Sequence, residues 1–412
     1  MDVQNAFNAI DRGALFDAIR TCVPELEAWA RCTYGCHSTL FCDGFRLTSE
    51  QGVQQGDPLG PLFFAVLWQT VVAALPHSLA LNVWYLDDGH LVGDMETLAR
   101  SIAIIQLKAS KIGVKLNLHK CRLWGPGQIS PDVQGDHFDL LRSIPRVPCG
   151  ADNGLRVLGY PVEHPSSTSF RARELQNIVN RLEEACHVLS NLGDPHVEHI
   201  LLRYCLDACR VLHFLRAIDA PALMHPVAAA TRVIRRAWDD VLGQPAVSDE
   251  QWTQCTLPLR MAGLGIKDPT VLQAPARMAG ILSAHQRASD LQFPNEARQL
   301  PPDFALVALK LTDVIGDQFE PLAAWVSDAR PSDVESDHRR QDFWTNKVHE
   351  ARKKRLQDSL PVRDRCRLRL QSMPHTTAWM QTVPNKGMGM QLGASKYRLL
   401  LRWWRWYQDC AR

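Results

Sequence analysis

The chain has 412 residues, and 46% of them are hydrophobic, which is enough for more than one domain with a buried core. Its 46 basic and 44 acidic residues nearly cancel, but residues 1–100 hold five Arg/Lys against twelve Asp/Glu, whereas residues 331–412 hold seventeen against eight. An acidic start and a basic end are typical of a protein that holds cations in one region and polyanions in another, although uneven solvation gives the same pattern.

The composition excludes several classes of protein. The first residues have neither the basic start nor the apolar core of a secretory signal. The most hydrophobic segment, residues 61–76, is too short to span a bilayer and contains Gln69. The twelve cysteines show no set of four with zinc-finger spacing. We therefore expect an intracellular protein that is not secreted, has no membrane partner and carries free thiols.

Residues 1–163 mix predicted helices and short strands. The apolar run 61–76 predicts a buried helix, and residues 98–112 predict an amphipathic helix that ends at Gly113. Between them, "VWYLDDGHLV" (83–92) predicts a β-hairpin with Asp88-Gly89 in its turn. Residues 114–124 and 155–162 have strand patterns.

The chain is predicted to be helical from Arg171 onward, after a linker at 163–170. Apolar spacing predicts helices over 175–189, 199–218 and 231–243. Near the C-terminus the aromatic residues alternate with arginines, so they can stack on nucleic-acid bases or pack in the core, and we expect at least half of them in the core. These aromatic residues are Trp403, Trp404, Trp406 and Tyr407.

Five stretches follow one another in a specific order: "MDVQNAF" (1–7), "GVQQGDPLGPLFF" (52–64), "WYLDDG" (84–89), "GVKLNLHKC" (113–121) and "VLGYP" (157–161). Together they resemble the palm of a reverse transcriptase, specifically of the non-LTR (LINE-type) retrotransposons. The resemblance implies an α+β fold, in which a polymerase palm (an antiparallel sheet packed on helices) precedes a helical thumb and a mostly helical C-terminal region. The implied domains are a palm (1–163), a thumb (164–245), a helical connector (246–330) and a basic, Trp-rich region (331–412).

The resemblance implies a catalytic site that uses Mg²⁺, with Mn²⁺ as a substitute. Extension of a polynucleotide is catalysed by two such ions roughly 3.5–4 Å apart, and magnesium prefers carboxylate and phosphate oxygens. Asp2 and Asp87 would bridge the ions, and Asp88 would make a supporting contact. Lys120 would approach the incoming triphosphate and protonate the leaving group; the alternative is an exposed lysine without a catalytic role.

The remaining site residues would contact the nucleic acid and the incoming nucleotide. Phe7 would lie under the sugar and exclude a 2′-hydroxyl, although a purely structural position in the core is equally compatible with the sequence. Gln55, Gly56 and Tyr85 would contact the nascent base pair and the template.

Two other motif positions have predicted local roles. Leu158 and Gly159 would form a primer grip, where glycine permits a close backbone approach. Asp57 is expected to cap the helix that follows, with Pro58 in its first turn, and not to bind metal.

The family resemblance implies an RNA-directed DNA polymerase whose partners are an RNA template, a DNA primer and dNTPs, and it implies a nuclear location. Members of this family carry a fingers subdomain before the first catalytic strand, whereas Asp2 follows the first residue here. We therefore expect a truncated copy that lacks the fingers and endonuclease portions, with Asp2 close to a terminus that would fray unless it is tied down. The alternative function is a non-catalytic nucleic-acid-binding remnant of a retroelement.

Overall fold

The computed structural model describes residues 1–125, 135–148, 153–163, 169–218, 220–244, 247–291, 299–316 and 335–404. The chain divides into two compact units, Met1–Arg171 and Ala172–Arg412. The predicted boundaries at 245 and 330 lie inside the second unit and stay predictions. Within the described ranges, no helix is long and apolar enough to cross a membrane.

The first unit contains six described helices. One matches its prediction closely: the helix expected over 98–112 spans Met95–Lys111, begins after Asp94, whose side chain accepts a hydrogen bond from the Thr97 amide, and ends before Gly113 at φ +83°. The helices are α1 (Ala6–Ala9), α2 (Arg12–Cys22), α3 (Glu27–Tyr34), α4 (Gly60–Val72), α5 (Met95–Lys111) and α6 (Asp136–Ser143).

The described strands of this unit form five two-stranded pairs. The antiparallel pairs are β1 (Val3–Gln4) with β6 (Lys115–Leu116), β2 (Ser38–Cys42) with β3 (Phe45–Ser49), β4 (Leu81–Tyr85) with β5 (Asp88–Val92), and β9 (Gly154–Val157) with β10 (Tyr160–Glu163). The parallel pair is β7 (Leu123–Trp124) with β8 (Arg146–Val147). This mixture of helices and short, mainly antiparallel sheets agrees with the predicted α+β class.

Two strand predictions are wrong in extent. The strand expected over 114–124 is interrupted after β6 by a turn at residues 118–120, and β7 follows only at Leu123. The strand expected over 155–162 is a hairpin, because Leu158 and Gly159 both have positive φ and reverse the chain between β9 and β10.

The core of the first unit lies around α4. Phe63, Phe64, Leu67 and Trp68 of this helix are buried, and they pack with buried residues of α2 and α5, including Leu15 and Ile105. The predicted buried helix is thus confirmed, although it begins at Gly60 and ends at Val72. Although the sequence of α4 is apolar nearly all round, Leu62, Ala65 and Gln69 on one side of the helix are exposed.

The described part of the second unit is helical throughout. Its helices are α7 (Ser169–Ser190, which begins just before the unit boundary), α8 (Pro195–Leu201), α9 (Leu212–Ala217), α10 (Ala220–Leu242), α11 (Asp249–Cys255), α12 (Pro269–Asp290), α13 (Phe304–Ile315), α14 (Gln341–Ser359), α15 (Val362–Gln371), α16 (Ala378–Gln381) and α17 (Ala394–Trp404).

The single helix predicted over 199–218 is broken. A π-helical turn at Leu202–Leu206 follows α8, and α9 begins only at Leu212. The break falls at Asp207, whose buried carboxylate accepts hydrogen bonds from the Cys209 and Lys267 amides. A short acidic side chain that bonds nearby backbone competes with the helical hydrogen bonds, which explains the interruption.

The aromatic C-terminus is partly core. Trp404 is 4% exposed and its indole nitrogen donates to the Ala262 carbonyl, whereas Trp403 is 55% exposed. Arg402 donates to the Leu242 and Gly243 carbonyls at the end of α10. Trp406 and Tyr407 lie outside the described residues.

Candidate active site

The β4–β5 hairpin carries two of the predicted catalytic carboxylates. Tyr85 pairs with Asp88, so the turn consists of Leu86, at φ +57°, and Asp87. The turn therefore lies two residues before the predicted Asp88-Gly89, and Asp87 stands at its tip. Gly89 is a strand residue opposite Trp84, whose ring lies 2.4 Å from the position that a Cβ on residue 89 would take. A side chain at residue 89 would collide with the Trp84 ring, so this position requires glycine.

The segment that carries Asp2 is held on both sides by backbone hydrogen bonds. The Met1 nitrogen donates to the Gly89 carbonyl over 2.7 Å, and the Gly89 amide donates to the Met1 carbonyl over 3.5 Å. On the other side, the Asn117 amide donates to the Asp2 carbonyl over 3.1 Å, and the Asp2 amide donates to the Cys121 Sγ. These bonds tie the Asp2 segment to the hairpin on one side and to the turn that follows β6 on the other.

The carboxylates of Asp2, Asp87 and Asp88 interact electrostatically. Asp87 is half-buried and Asp88 is exposed. Burial raises the pKa of Asp87, and the charges of Asp88 and Asp2 raise this pKa further. The Oδ2 of Asp2 is buried and has no hydrogen-bond partner among the described residues. The site therefore concentrates negative charge at the hairpin tip and at Asp2.

These residues are suited to a divalent cation. Among the described residues, no group of three or more His, Cys, Asp or Glu side chains is arranged to hold a metal ion. Magnesium, however, is commonly bound by one or two carboxylates together with substrate phosphates. The unpartnered Asp2 oxygen and the unfavourable charge of Asp87 are both features that a bound cation would relieve, so the donor set fits Mg²⁺ or Mn²⁺.

Lys120 lies in the turn next to Asp2. Its amide donates to the Asn117 carbonyl over 3.0 Å, and both Asn117 and Cys121 bond the backbone of Asp2. The side chain of Lys120 is exposed. The structure thus places this lysine on the segment that holds a predicted metal ligand, while its part in proton transfer stays a prediction.

Phe7 connects the core to the Gln-Gly loop. Its ring stacks on that of Phe64 with 4.7 Å between the ring centroids, and its carbonyl accepts a hydrogen bond from the Val53 amide over 2.7 Å. The residue is half-buried, so part of the ring stays accessible. This position is compatible both with a core role and with contact to a nucleotide.

The loop that carries Gln55 and Gly56 is exposed at these two residues and held at its ends. Asp57 Oδ1 accepts a hydrogen bond from the Leu59 amide over 2.9 Å, but Leu59 is itself the N-cap of α4 and no side chain caps this helix, so the predicted capping role of Asp57 is wrong. Because α4 begins at Gly60, Pro61 and not Pro58 lies in its first turn. Gly56 has φ +96°, a conformation that favours glycine.

Arg12 and Tyr34 support this loop, and neither was predicted from the sequence. Tyr34 is buried; its hydroxyl donates to Asp57 Oδ2 and accepts from the Gln54 amide over 3.1 Å. The guanidinium of Arg12 lies over the Tyr34 ring and donates to the Gly52 carbonyl over 3.0 Å. The sequence did contain one indication for Arg12. A cation in the first turn of a helix interacts unfavourably with the helix dipole, so an arginine at this position of α2 indicates a favourable interaction elsewhere.

Replacing Tyr34 by Phe is expected to lower the free energy of unfolding by about 1–3 kcal/mol, because Asp57 and the Gln54 amide each lose a hydrogen-bond partner.

The stability that Tyr34 contributes should also depend on pH. Burial and, to a smaller extent, the hydrogen bond with Asp57 raise the pKa of Tyr34 to about 12 from the ordinary value of 10.0. The neutral phenol therefore contributes stability that is complete below pH 10 and lost as the pH rises through 12. Denaturant unfolding between pH 8 and 12 should show a smaller decline for Tyr34→Phe. Tyr85→Phe is the control, since Tyr85 is 65% exposed; an equal effect of the two changes would contradict this account.

Among the described strands, no pairing connects Leu158 and Gly159 to the segments that carry Asp2, Asp87 and Asp88. They form the exposed tip of the β9–β10 hairpin, at φ +48° and +85°, and this hairpin is a separate two-stranded sheet. The structure thus brings together Asp2, Asp87 and Asp88 with the turn that contains Lys120. The primer-grip role of the β9–β10 hairpin stays a prediction.

Residues 1–162 match the family model described as "Reverse transcriptase (RNA-dependent DNA polymerase)". A comparison with curated proteins gave no match. The matched range contains every residue of the cluster and of the Gln55 loop.

Proposed function

We propose, from the reverse transcriptase domain at residues 1–162, that this chain is an RNA-directed DNA polymerase of the non-LTR type that extends a DNA primer on an RNA template. The observation that carries the proposal is the buried, unpartnered Oδ2 of Asp2 in electrostatic contact with the hairpin tip at Asp87. A nuclear location follows from the proposed family type.

The proposed roles follow from the positions of the side chains. Bound Mg²⁺ would activate the primer 3′-hydroxyl and stabilise the pyrophosphate. Asp2 and Asp87 would hold that cation, since their main chains are fixed by the bonds with Met1, Gly89 and Asn117. The exposed Asp88 would make a supporting contact.

We propose that the other predicted site residues select the substrates. Lys120 would donate a proton to the leaving pyrophosphate, and its side chain is exposed. The half-buried ring of Phe7, fixed by Phe64, would exclude a 2′-hydroxyl from the sugar site. Gln55 and Gly56 would contact the template base pair, and Tyr85 would stack near the tip of the hairpin.

The test is extension of a labelled DNA primer annealed to RNA, with the purified 412-residue chain, dNTPs and Mg²⁺. The primer is expected to be extended to the end of the template, and no extended product is expected when template, dNTPs or Mg²⁺ is omitted. Ribonucleotides should be poor substrates until Phe7 is replaced by Ala. Absence of any extension under these conditions, from a chain that is folded by circular dichroism, would contradict the proposal.

A second candidate function is nucleic-acid binding without catalysis, which the excess of seventeen basic over eight acidic residues in 331–412 favours. This function predicts RNA binding that weakens steeply with salt and is indifferent to Asp87→Ala. Filter binding of a labelled RNA at several salt concentrations separates the two functions when extension is absent.

A further inference from the structure

A cavity of about 440 Å³ lies within the unit Ala172–Arg412, which is separate from the unit that holds the candidate active site. Its walls come from the first nine residues of α14, from the segment 256–267 and from the starts of α9 and α12. Sites for small ligands typically measure roughly 300–1,000 Å³, so a molecule of nucleoside size fits.

Two amide side chains in the wall are oriented by arginines. Asn346 Oδ1 accepts a hydrogen bond from Arg260 over 2.7 Å, and Gln341 Oε1 accepts one from Arg216 over 3.3 Å. Because a guanidinium has only donors, each amide must turn its oxygen toward the arginine. The two NH₂ groups then remain as donors, and neither has a hydrogen bond to a described residue.

A second polar pair lies one helical turn apart on α14. Thr345 Oγ1 and His349 Nδ1 are buried and have no hydrogen-bond partner within the described ranges, although buried polar atoms are normally bonded. Burial lowers the pKa of His349 to about 4, and Arg352 and Arg260 contribute to this change. The imidazole is therefore neutral at pH 7 and offers one donor and one acceptor.

The charges in the wall are already paired. Lys267 Nζ lies 3.2 Å from a carboxylate oxygen of Asp207, and Asp342 Oδ2 lies 2.6 Å from a guanidinium nitrogen of Arg340. Apolar surface comes from Leu212, Ile266 and Leu272. This combination favours an uncharged, flat molecule with carbonyl acceptors over a phosphate or a carboxylate.

We propose that this cavity binds a pyrimidine nucleobase of the uracil or thymine type, either as a free nucleoside or as an unstacked base of a single strand. The two ring carbonyls of such a base would accept hydrogen bonds from the NH₂ groups of Asn346 and Gln341, and its ring N–H would donate to the neutral imidazole of His349. The apolar walls would cover the ring faces. The inference does not depend on the proposed polymerase activity.

The test is isothermal titration of the whole chain with uridine, thymidine, adenosine, ribose 5-phosphate and oligouridylate. Uridine or thymidine should bind saturably, and Asn346→Ala should weaken binding about tenfold through the loss of a donor. Leu212→Trp, which fills the cavity from a half-buried wall position, should abolish binding. Asn180→Ala, an exposed amide on α7, is the matched control and should bind normally. Thermal unfolding checks that each variant is folded.

The outcomes distinguish a base of a strand from a free nucleoside, and they include the results that would overturn the proposal. Binding of oligouridylate with the same sensitivity to Asn346→Ala and Leu212→Trp would assign the site to a base of a strand, and binding of nucleosides alone would assign it to free nucleosides. Equal or tighter binding of ribose 5-phosphate would overturn the proposal in favour of an anion site. No saturable binding of any pyrimidine, or binding that survives Leu212→Trp, would also overturn it.

Discussion

Asp87→Asn is expected to reduce the rate of primer extension by about three orders of magnitude, and Asp2→Asn by a similar factor. Each change removes a negative charge that would hold the cation, and a metal-ion contribution of several kcal/mol corresponds to about 10³-fold in rate. The amide has nearly the same size as the carboxylate, so the hairpin and the bonds that fix Asp2 should persist. Single-turnover extension with saturating dNTP measures the effect on the chemical step.

The matched control for this prediction is Asp17→Asn, because the Asp17 side chain is 74% exposed on α2 and pairs with Arg20. It should extend primers at the rate of the unchanged chain. Asp88→Asn should have an intermediate effect, since Asp88 is exposed beside the tip and is expected to make a supporting contact. Full activity of Asp87→Asn with an intact fold would show that the hairpin carboxylate is not a metal ligand.

Asp303→Leu is expected to lower the free energy of unfolding by about 3–5 kcal/mol, because it leaves a buried guanidinium without its counter-charge. Arg277 on α12 makes two 2.8 Å hydrogen bonds with the Asp303 carboxylate, and both side chains are at most 10% exposed. Arg277 also donates to the Ala217 carbonyl at the end of α9 over 2.8 Å. The ion pair thus joins α9, α12 and the start of α13. Chemical denaturation followed by circular dichroism measures the loss.

The control for this prediction is Asp342→Leu, which breaks the exposed pair of Arg340 and Asp342. Exposed pairs contribute little, because water and salt screen them, so no measurable change is expected. Replacing both members of the buried pair, in Arg277→Met with Asp303→Leu, should cost less than Asp303→Leu alone, since no buried charge is left unpaired. Equal losses from Asp303→Leu and Asp342→Leu would refute the assignment of a stabilising buried pair.

Features set by short-range patterns were predictable from the sequence. The Asp94 cap and the apolar spacing of α5 and the buried α4 all depend on residues within one or two turns. The hairpin of Asp87 was predicted as an element, but its turn was misplaced by two residues. Gly89 was interpreted as a turn residue, and its real constraint is the ring of Trp84 on the facing strand.

Features that depend on contacts distant in sequence were not predictable. The anchoring of Asp2 uses Gly89 and Asn117, which are more than eighty residues away, so local patterns could not show what holds this terminal segment. The support of the Gln55 loop by Arg12 and Tyr34 likewise follows from partners distant in sequence. At the break of the predicted helix, the Asp207 carboxylate bonds both the nearby Cys209 amide and the distant Lys267 amide. Apolar periodicity carries no information about such partners.

The most direct test of the proposed site is a Mn²⁺ titration followed by electron paramagnetic resonance, with the chain bound to an RNA–DNA primer duplex and a non-reactive dNTP analogue. Saturable binding of Mn²⁺ is predicted for the unchanged chain and for Asp17→Asn. Binding should be weaker by about tenfold or more in Asp2→Asn and Asp87→Asn, where a charged oxygen ligand is lost. Equal Mn²⁺ affinity in all four chains would contradict the assignment of Asp2 and Asp87 as the metal-binding carboxylates.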